Sequence, residues 1–291
     1  MSGCNLCPRK CSADRENNEK GFCGAGKEIY LAKVMPFHFE EPPISGDENS
    51  NGSGMLFFSG CSLRCVYCQN KPVSRFKVGK AVSKEELSEI ILNLQNSGVL
   101  NINLVTPTHY LADIRDVLIK IRDKLHIPVI YNCGGYEDVS SLKSLSGLID
   151  IYLPDLKYFD NDFSFKYSGV KDYFPVAIKA ISEMVSQRGA PVMENGLLKS
   201  GVMVRHLILP GLRQDSIKLL NKLKEEIGTE NILLSLMRQY TPDFTDEKFP
   251  ELKRKITEFE YNSVLEEAVN LGFGGFSQDK SSASSVFTPN F

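Results

Sequence analysis

Residues 55–70 of this chain read MLFFSGCSLRCVYCQN, a short apolar run followed at once by three closely spaced cysteines. Cys61, Cys65 and Cys68 have the spacing C-x3-C-x2-C. Three thiolates in one short loop can hold three corners of a four-iron cluster, which leaves the fourth iron without a protein ligand. An open iron can bind a small molecule and pass an electron to it, so the spacing predicts a cluster that acts on a bound substrate.

Further apolar runs follow along the chain, each short and rich in Ile, Leu, Val or aromatic residues, as in buried parallel strands. The predicted strands are Met55–Phe58, Ile102–Val105, Pro128–Tyr131, Ile149–Leu153, Val202–Leu209 and Ile232–Leu236. Between them lie amphipathic stretches that predict helices from Ser83 to about Asn96 and near 110–124, 137–146, 173–188, 214–227 and 255–270.

Strand–helix alternation repeated in this way predicts an α/β fold with a parallel sheet. Six units favour a partial (β/α)6 TIM-like barrel, and a doubly wound open sheet is the alternative. In a barrel of this type the active site lies at the carboxyl ends of the strands. The cysteine loop directly follows the first predicted strand, so it lies at the end of the barrel where the active site is expected.

A second group of cysteines lies near the start of the chain. Cys4, Cys7, Cys11 and Cys23 have the spacing C-x2-C-x3-C-x11-C in a polar segment. Clustered cysteines in a chain of this length favour metal binding over disulfides, and four thiolates can hold structural zinc or an auxiliary iron-sulfur cluster. We therefore predict a cysteine-rich metal-binding appendage over residues 1–40 and a core domain over residues 41–291. Residues 40–54, rich in Pro, Gly, Ser and Asn, are expected to form a connector.

The composition excludes several other classes of protein. The 291 residues carry a net charge of −2 with a pI near 6.2, which gives no sign of a nucleic-acid or membrane surface. The first residues lack a basic region followed by an apolar one, and no apolar run is long enough to span a bilayer. We expect a cytoplasmic protein that binds neither nucleic acid nor membrane.

Several motifs resemble one known family. The motif C-x3-C-x-aromatic-C with the following Gln69-Asn70 resembles the radical S-adenosylmethionine (SAM) superfamily, and within it the pyruvate formate-lyase activating enzyme group, especially relatives with an extra cysteine-rich N-terminus. The segments that carry this resemblance are 4–11 (CNLCPRKC), 101–109 (NINLVTPTH), 153–158 (LPDLKY), 205–211 (RHLILPG) and 237–240 (MRQY).

The resemblance implies both the cofactors and the reaction. Cys61, Cys65 and Cys68 would hold a [4Fe–4S] cluster whose open iron binds SAM. Reductive cleavage of SAM would give a 5′-deoxyadenosyl radical that takes a hydrogen atom from a substrate, and in the activating enzymes that substrate is a glycine of another protein. The protein would hold and orient the reactants and exclude solvent. A low-potential donor such as flavodoxin or ferredoxin is implied as the electron source.

The resemblance also assigns cofactor contacts to residues at strand ends. Tyr67 would lie against the adenine or pack beneath the loop. Asp155 and Lys157 would contact the ribose and the carboxylate. Thr106 and Thr108 replace the family's Gly-Gly-Glu segment and offer hydroxyl and carbonyl acceptors without the acidic partner. The remaining candidates are Asn132, Arg205 and Arg238. No residue is assigned as a catalytic acid or base.

The sequence leaves two classes of function open. The first is a radical SAM oxidoreductase of the glycyl-radical-enzyme activating type, with a protein or peptide as substrate. The second is a non-catalytic iron-sulfur electron carrier or redox sensor. The three-cysteine loop lacks a fourth cysteine nearby, which argues against a carrier.

Overall fold

The computed structural model describes residues 3–76, 78–278, 282, 283 and 289. Its strands are β1 (Ile29–Phe37), β2 (Ser53–Phe58), β3 (Lys80–Val82), β4 (Ile102–Val105), β5 (Val129–Cys133), β6 (Ile151–Pro154), β7 (Val192–Glu194), β8 (Leu197–Leu207), β9 (Leu233–Met237) and β10 (Gly275–Ser277). Its α-helices are α1 (Pro42–Ser45), α2 (Lys71–Ser74), α3 (Lys84–Asn96), α4 (Leu111–Ile121), α5 (Val139–Lys143), α6 (Asn161–Ser168), α7 (Tyr173–Arg188), α8 (Arg213–Ile227) and α9 (Glu258–Leu271).

The centre of the sheet is a row of six parallel strands in the order β2, β4, β5, β6, β8, β9. These are the six strands expected from the apolar runs, with bounds shifted by a few residues. Side chains of β2 and β9, the two ends of this row, line one common cavity, so the sheet curls toward a barrel. The prediction of an α/β fold with a partial (β/α)6 barrel is confirmed.

Strands outside this row extend the sheet at both edges. On one side β1 pairs antiparallel with β2 and with β3, and on the other β10 pairs parallel with β9. The sequence did not predict β1, β3, β7 or β10, nor the helix α6. Strand β1 lies within residues 1–40, so part of the predicted N-terminal segment is hydrogen-bonded into the main sheet.

The predicted helices between the strands occur as α3, α4, α5, α7, α8 and α9. Helix α3 begins as expected at Ser83, whose hydroxyl accepts from the Glu86 backbone N–H while the Glu86 carboxylate accepts from the Ser83 N–H. The helix expected at 137–146 is shorter, because α5 ends at Lys143 and turns follow. In the described part of the chain no helix is long and apolar enough to cross a membrane.

The expectation of a connector over residues 40–54 is wrong. These residues contain α1, which enters the barrel at the amino ends of the strands. Ile44 is fully buried with Ile130, Ile151 and Leu153. Its backbone carbonyl accepts a hydrogen bond from Asn101 Nδ2 at 2.7 Å, just before β4. The segment therefore closes one end of the barrel and gives the cavity above it a floor.

Candidate active site

The cysteine loop follows β2 and is buried by the surrounding segments. Two donors point at its sulfur atoms: the Leu63 N–H lies 3.3 Å from Cys61 Sγ, and the Ser168 hydroxyl lies 3.0 Å from Cys65 Sγ. Burial raises the pKa of Cys61 and of Cys68, and nearby Lys157 opposes this rise. Buried thiols of this kind stay protonated unless a metal or cluster holds them as thiolates.

Gly60 allows the loop to leave β2 at this place. Its φ is +102°, and a Cβ there would stand 2.5 Å from the backbone oxygen of Cys23. A side chain is therefore excluded both by the left-handed backbone and by the close approach of the N-terminal segment.

A chain of hydroxyl groups connects Tyr67 to the cysteine loop. The Tyr67 and Tyr158 hydroxyls lie 2.6 Å apart, and the Tyr158 hydroxyl lies 2.8 Å from Ser168 Oγ. Ser168 in turn donates to Cys65 Sγ. Tyr67 is buried, lines the cavity and meets Tyr240 edge-on, with ring centroids 6.1 Å apart.

A cavity of about 210 Å³ opens at the carboxyl ends of the parallel strands. Cys65 and Cys68 form part of its wall. Its apolar lining is Phe37, Met55, Phe57, Val105, Leu207 and Met237. Of the residues predicted to contact a cofactor, the structure brings Tyr67, Asn132, Asp155, Lys157 and Arg205 together in this one cavity.

Charged and amide side chains on β5, on β8 and just after β6 form a continuous ladder of polar contacts in the cavity. Lys157 Nζ lies 2.6 Å from Asp155 Oδ2, and Arg205 Nε lies 3.3 Å from Asp155 Oδ1. Arg205 Nη2 donates to Asn132 Oδ1 at 2.6 Å. Burial acts to raise the pKa of Asp155, but Lys157 and Arg205 outweigh it and hold that pKa below its usual range. Asp155 is therefore a carboxylate shared by two cations.

Two acidic residues that the sequence reasoning missed complete the ladder. Arg205 Nη1 lies 2.9 Å from Glu40 Oε2, and Ser235 Oγ donates to Glu41 Oε1 at 2.6 Å. Burial raises the pKa of Glu40 against the pull of Arg205. Nothing in the polar, proline-containing pattern of residues 40–54 separates these carboxyls from those of a surface connector. Only the path of the chain beneath the barrel brings them inside.

Three predicted cofactor residues do not line the cavity. Thr106 has a φ of +57° and turns the chain after β4, and the Thr108 hydroxyl donates to Glu137 Oε1 at 2.8 Å in the core. The Arg238 guanidinium lies over the Tyr261 ring, 4.9 Å from its centroid. The side chains of Thr108 and Arg238 therefore have protein partners away from the cavity.

His109 is also buried in the core. Its Nε2 lies 2.7 Å from the Ser59 backbone oxygen, and burial lowers its pKa to about 4. The imidazole is therefore neutral at ordinary pH. The eighth cysteine of the chain, Cys133, is buried too, and burial raises its pKa well above the usual value, which is typical of an inert core thiol.

The four N-terminal cysteines lie near one another. A Cβ on Gly21 would stand 3.2 Å from Cys11 Sγ and 3.5 Å from Cys23 Sγ. Burial raises the pKa of Cys7 to about 12. Within the described ranges, no three His, Cys, Asp or Glu side chains are arranged so that they could hold a metal ion.

The N-terminal segment packs directly on the cysteine loop. Arg9 donates to the backbone oxygens of Ser62, Ser168 and Gly169, at 2.9, 3.3 and 3.0 Å. The Phe22 ring contacts two guanidinium groups, those of Arg9 and Arg64, at 3.8 and 4.2 Å from its centroid. The segment that carries one set of cysteines thus fixes the loop that carries the other.

Comparison with known proteins identifies the family. The model of the radical SAM superfamily matches residues 55–223, more than half of the chain. The matched region begins within β2 and includes the cysteine loop, Asp155, Lys157 and Arg205. The chain therefore belongs to the radical SAM superfamily.

Two relatives from Methanocaldococcus jannaschii match nearly the whole chain. The uncharacterized protein MJ0674 is 28% identical over 91% of this chain and 74% of its own length. The uncharacterized protein MJ0808 is 25% identical over 94% of this chain and 80% of its own length. Both matches cover more than nine-tenths of the chain.

Solved structures with the same fold include radical SAM enzymes. Streptococcus suis SuiB bound to S-adenosylmethionine gives a TM-score of 0.53 with 16% identity, over 77% of this chain and 52% of SuiB. A radical SAM methyltransferase from Sphaerobacter thermophilus gives 0.53 with 11% identity, over 78% of this chain and 66% of that protein. This chain spans about half the length of the SuiB structures. At these identities the likeness concerns the fold alone.

The residues of the cavity fit the cofactors of the family, a [4Fe–4S] cluster and SAM. The three buried sulfur atoms lie on one loop with hydrogen-bond donors at two of them. The cavity beside them offers a carboxylate and two cations, which suit a zwitterionic ligand that carries a sugar. The protein is a radical SAM enzyme.

Proposed function

We propose that this enzyme abstracts a hydrogen atom from a polypeptide, in the manner of the glycyl-radical-enzyme activating group. The observation that carries the proposal is the size of the cavity. At about 210 Å³ it is smaller than the roughly 300–1,000 Å³ usual for small-molecule sites. Because the cofactor shares this space, most of the substrate must remain outside, as the body of a polypeptide would.

The mouth of the cavity supports the same conclusion. Its lining includes the half-buried amide side chains of Gln69, Asn70, Gln239 and Gln278. Gln69 Nε2 donates to the Gln239 backbone oxygen, and Gln278 Nε2 donates to Gln239 Oε1, both at 3.1 Å. Amide groups of this kind carry both donors and acceptors and can pair with a peptide backbone. One structure of the fold neighbour SuiB is bound to a precursor peptide.

The chain's own residues divide the work within the cavity. Cys61, Cys65 and Cys68 would hold the cluster, and Lys157 and Asp155 would bind the carboxylate and the ribose of SAM. When bound, the cluster and SAM supply a 5′-deoxyadenosyl radical. Tyr67 would support the adenine, and the apolar lining excludes water from the reacting atoms. Arg205 and Asn132 keep Asp155 in position.

The remaining assignments belong to the same proposal. A low-potential donor such as flavodoxin or ferredoxin would reduce the cluster in the cytoplasm. Cys4, Cys7, Cys11 and Cys23 would hold zinc or an auxiliary iron-sulfur cluster in the N-terminal segment. In either case the metal would organise a segment with little apolar material of its own.

Isotope transfer tests the proposal. The anaerobically reconstituted and reduced enzyme is incubated with SAM and a panel of short peptides in which one glycine carries deuterium at Cα and the flanking residues are Lys, Arg, Leu or Gln. We expect deuterium in the released 5′-deoxyadenosine with at least one peptide. Release of unlabelled 5′-deoxyadenosine with every peptide would contradict a polypeptide substrate of the glycyl type.

A further inference from the structure

One carboxylate oxygen in the cavity has no partner. Glu41 is 7% exposed and lines the cavity, and its Oε2 has no hydrogen-bond partner among the described residues. The other oxygen, Oε1, accepts only from the Ser235 hydroxyl. A buried carboxylate with one donor and no ion pair is costly, so Glu41 Oε2 is available to a ligand that brings a donor or a positive charge.

The charges around Glu41 point to the sign of that ligand. The ladder contains the carboxylates of Glu40, Glu41 and Asp155 but only the cations of Arg205 and Lys157. Both cations are already paired, Arg205 with Glu40 and Asp155, and Lys157 with Asp155. Glu41 therefore makes no ion pair with either cation, and Arg205 attracts it only at longer range.

The depth of Glu41 separates it from the cysteine loop. Its partner Ser235 faces the barrel interior two residues before β9 ends at Met237, and Arg205 lies at the same level of β8. Two residues of strand correspond to about 7 Å. The cysteines follow the carboxyl end of β2, so a cluster bound to them would lie beyond the strand ends. Glu41 directly precedes α1, which forms the floor of the cavity, so a group that pairs with it must enter deeply.

We infer that Glu41 forms a subsite for a cationic group of the substrate, a protonated amine or a guanidinium. This inference rests on the proposed polypeptide substrate. In such a substrate, a Lys or Arg side chain close to the reacting residue would extend to the floor of the cavity. Such a side chain has a slender apolar stem that suits the walls of Met55, Phe57 and Met237, and a head that pairs with Glu41 Oε2. Pairing of this cation with Glu41 would also determine how far the substrate segment enters the cavity.

Binding of n-butylammonium by the enzyme that carries its cluster, first without SAM, tests the subsite. Calorimetry compares it with n-butanol, a neutral molecule of similar size, on the wild type, on Glu41→Gln and on the surface control Glu48→Gln. We expect the wild type and Glu48→Gln to prefer the amine, and Glu41→Gln to bind it at least about tenfold more weakly. Equal binding of the amine and the alcohol by the wild type would overturn the inference, even if Glu41→Gln fails to fold.

The same titration distinguishes the substrate from the cofactor as the source of the cation. With SAM bound, the wild type should retain n-butylammonium binding, and loss of that binding would overturn the assignment of Glu41 to the substrate. An unchanged rate of deuterium transfer from the peptide in Glu41→Gln would also overturn the cation subsite, while the polypeptide proposal would stand. Glu41-dependent amine binding without transfer from any peptide would overturn the polypeptide proposal and leave the cation subsite standing.

Discussion

Asp155 is the residue on which the geometry of the cavity most depends. It joins Lys157 and Arg205, and through Arg205 it is connected to Glu40 and Asn132. It follows Pro154, the last residue of β6, and this position at a strand end is what made it a candidate from the sequence. A single carboxylate thus holds two cations inside the cavity.

Replacement of Asp155 by Asn should weaken SAM binding. The change removes the negative charge that Lys157 and Arg205 share and replaces one acceptor oxygen with an NH2 donor, so one of the two cations loses its hydrogen-bond acceptor. We expect the affinity of the reconstituted enzyme for SAM, measured by calorimetry, to fall about 30-fold or more. The exposed Asp123→Asn is the control, and an unchanged affinity in Asp155→Asn would show that this carboxylate has no part in the site.

Ser168 offers a second test at the scale of one hydrogen bond. Its hydroxyl donates to Cys65 Sγ, and hydrogen bonds to cluster sulfur atoms raise the reduction potential. We expect Ser168→Ala to lower the potential of the cluster, measured by a redox titration followed by EPR. The control is Ser263→Ala on α9, a half-buried serine whose hydroxyl donates to the Phe259 backbone oxygen. A potential that is unchanged or higher in Ser168→Ala would contradict this role.

At the scale of elements, the sequence predicted those strands that are buried on both faces. The six parallel strands appear as continuous apolar runs, whereas β1 contains Lys33 and Pro36 and alternates between buried and partly exposed positions. Helix α1 has only four residues, two of them prolines, and shows no helical period. Its burial depends on contacts with β5 and β6, which lie far along the chain.

The same reasoning explains which site residues were predictable. Asn132, Asp155 and Lys157 follow or end parallel strands, so the topology alone directs them to one cavity. Thr108 also follows a strand, but the turn at Thr106, with its positive φ, directs it into the core. Glu40 and Glu41 come from the segment at the opposite end of the barrel, which no local pattern reveals.

A buried histidine ties three elements together and makes stability depend on pH. His206 on β8 contacts the Leu156 backbone oxygen at 2.7 Å and the Ser216 hydroxyl of α8 at 2.8 Å. Burial lowers its pKa to about 4 from an ordinary value of 6.5. Between these values the unfolded chain binds a proton that the folded protein excludes, so this contribution to stability is lost as the pH falls.

We therefore expect His206→Gln to reduce the acid sensitivity of the fold. Between pH 7 and pH 4.5, the wild type should lose roughly 2–3 kcal/mol more unfolding free energy than the variant, measured by urea unfolding. Gln can still donate to Leu156 and accept from Ser216. The exposed His126→Gln should behave like the wild type, and identical pH profiles for the wild type and His206→Gln would exclude this histidine as the cause.

At the scale of the whole molecule, two sets of cysteines come from opposite sides of β1 in the sequence and meet in space. Arg9 bridges them, with hydrogen bonds to the cysteine loop at Ser62 and to the end of α6 at Ser168. Gly60 approaches the backbone of Cys23 so closely that no side chain fits between them. The folding of the N-terminal segment should therefore affect the conformation of the cysteine loop.

The metal proposed for the N-terminal segment can be measured without interference from the central cluster. In the triple variant Cys61→Ala, Cys65→Ala, Cys68→Ala, any remaining metal belongs to Cys4, Cys7, Cys11 and Cys23. We expect about one zinc per chain by elemental analysis, because four closed thiolate ligands suit a structural zinc site. About four irons per chain would instead identify an auxiliary cluster, and further replacement of Cys7 by Ser should remove either metal.

We assign Cys61, Cys65 and Cys68 as the ligands of the cluster that reductively cleaves SAM. The most direct measurement is the release of 5′-deoxyadenosine from SAM by the anaerobically reconstituted, dithionite-reduced protein. We expect release by the wild type and by the core-thiol variant Cys133→Ala, and none by Cys65→Ala. No release by a wild type that carries a full cluster, or undiminished release by Cys65→Ala, would contradict this assignment.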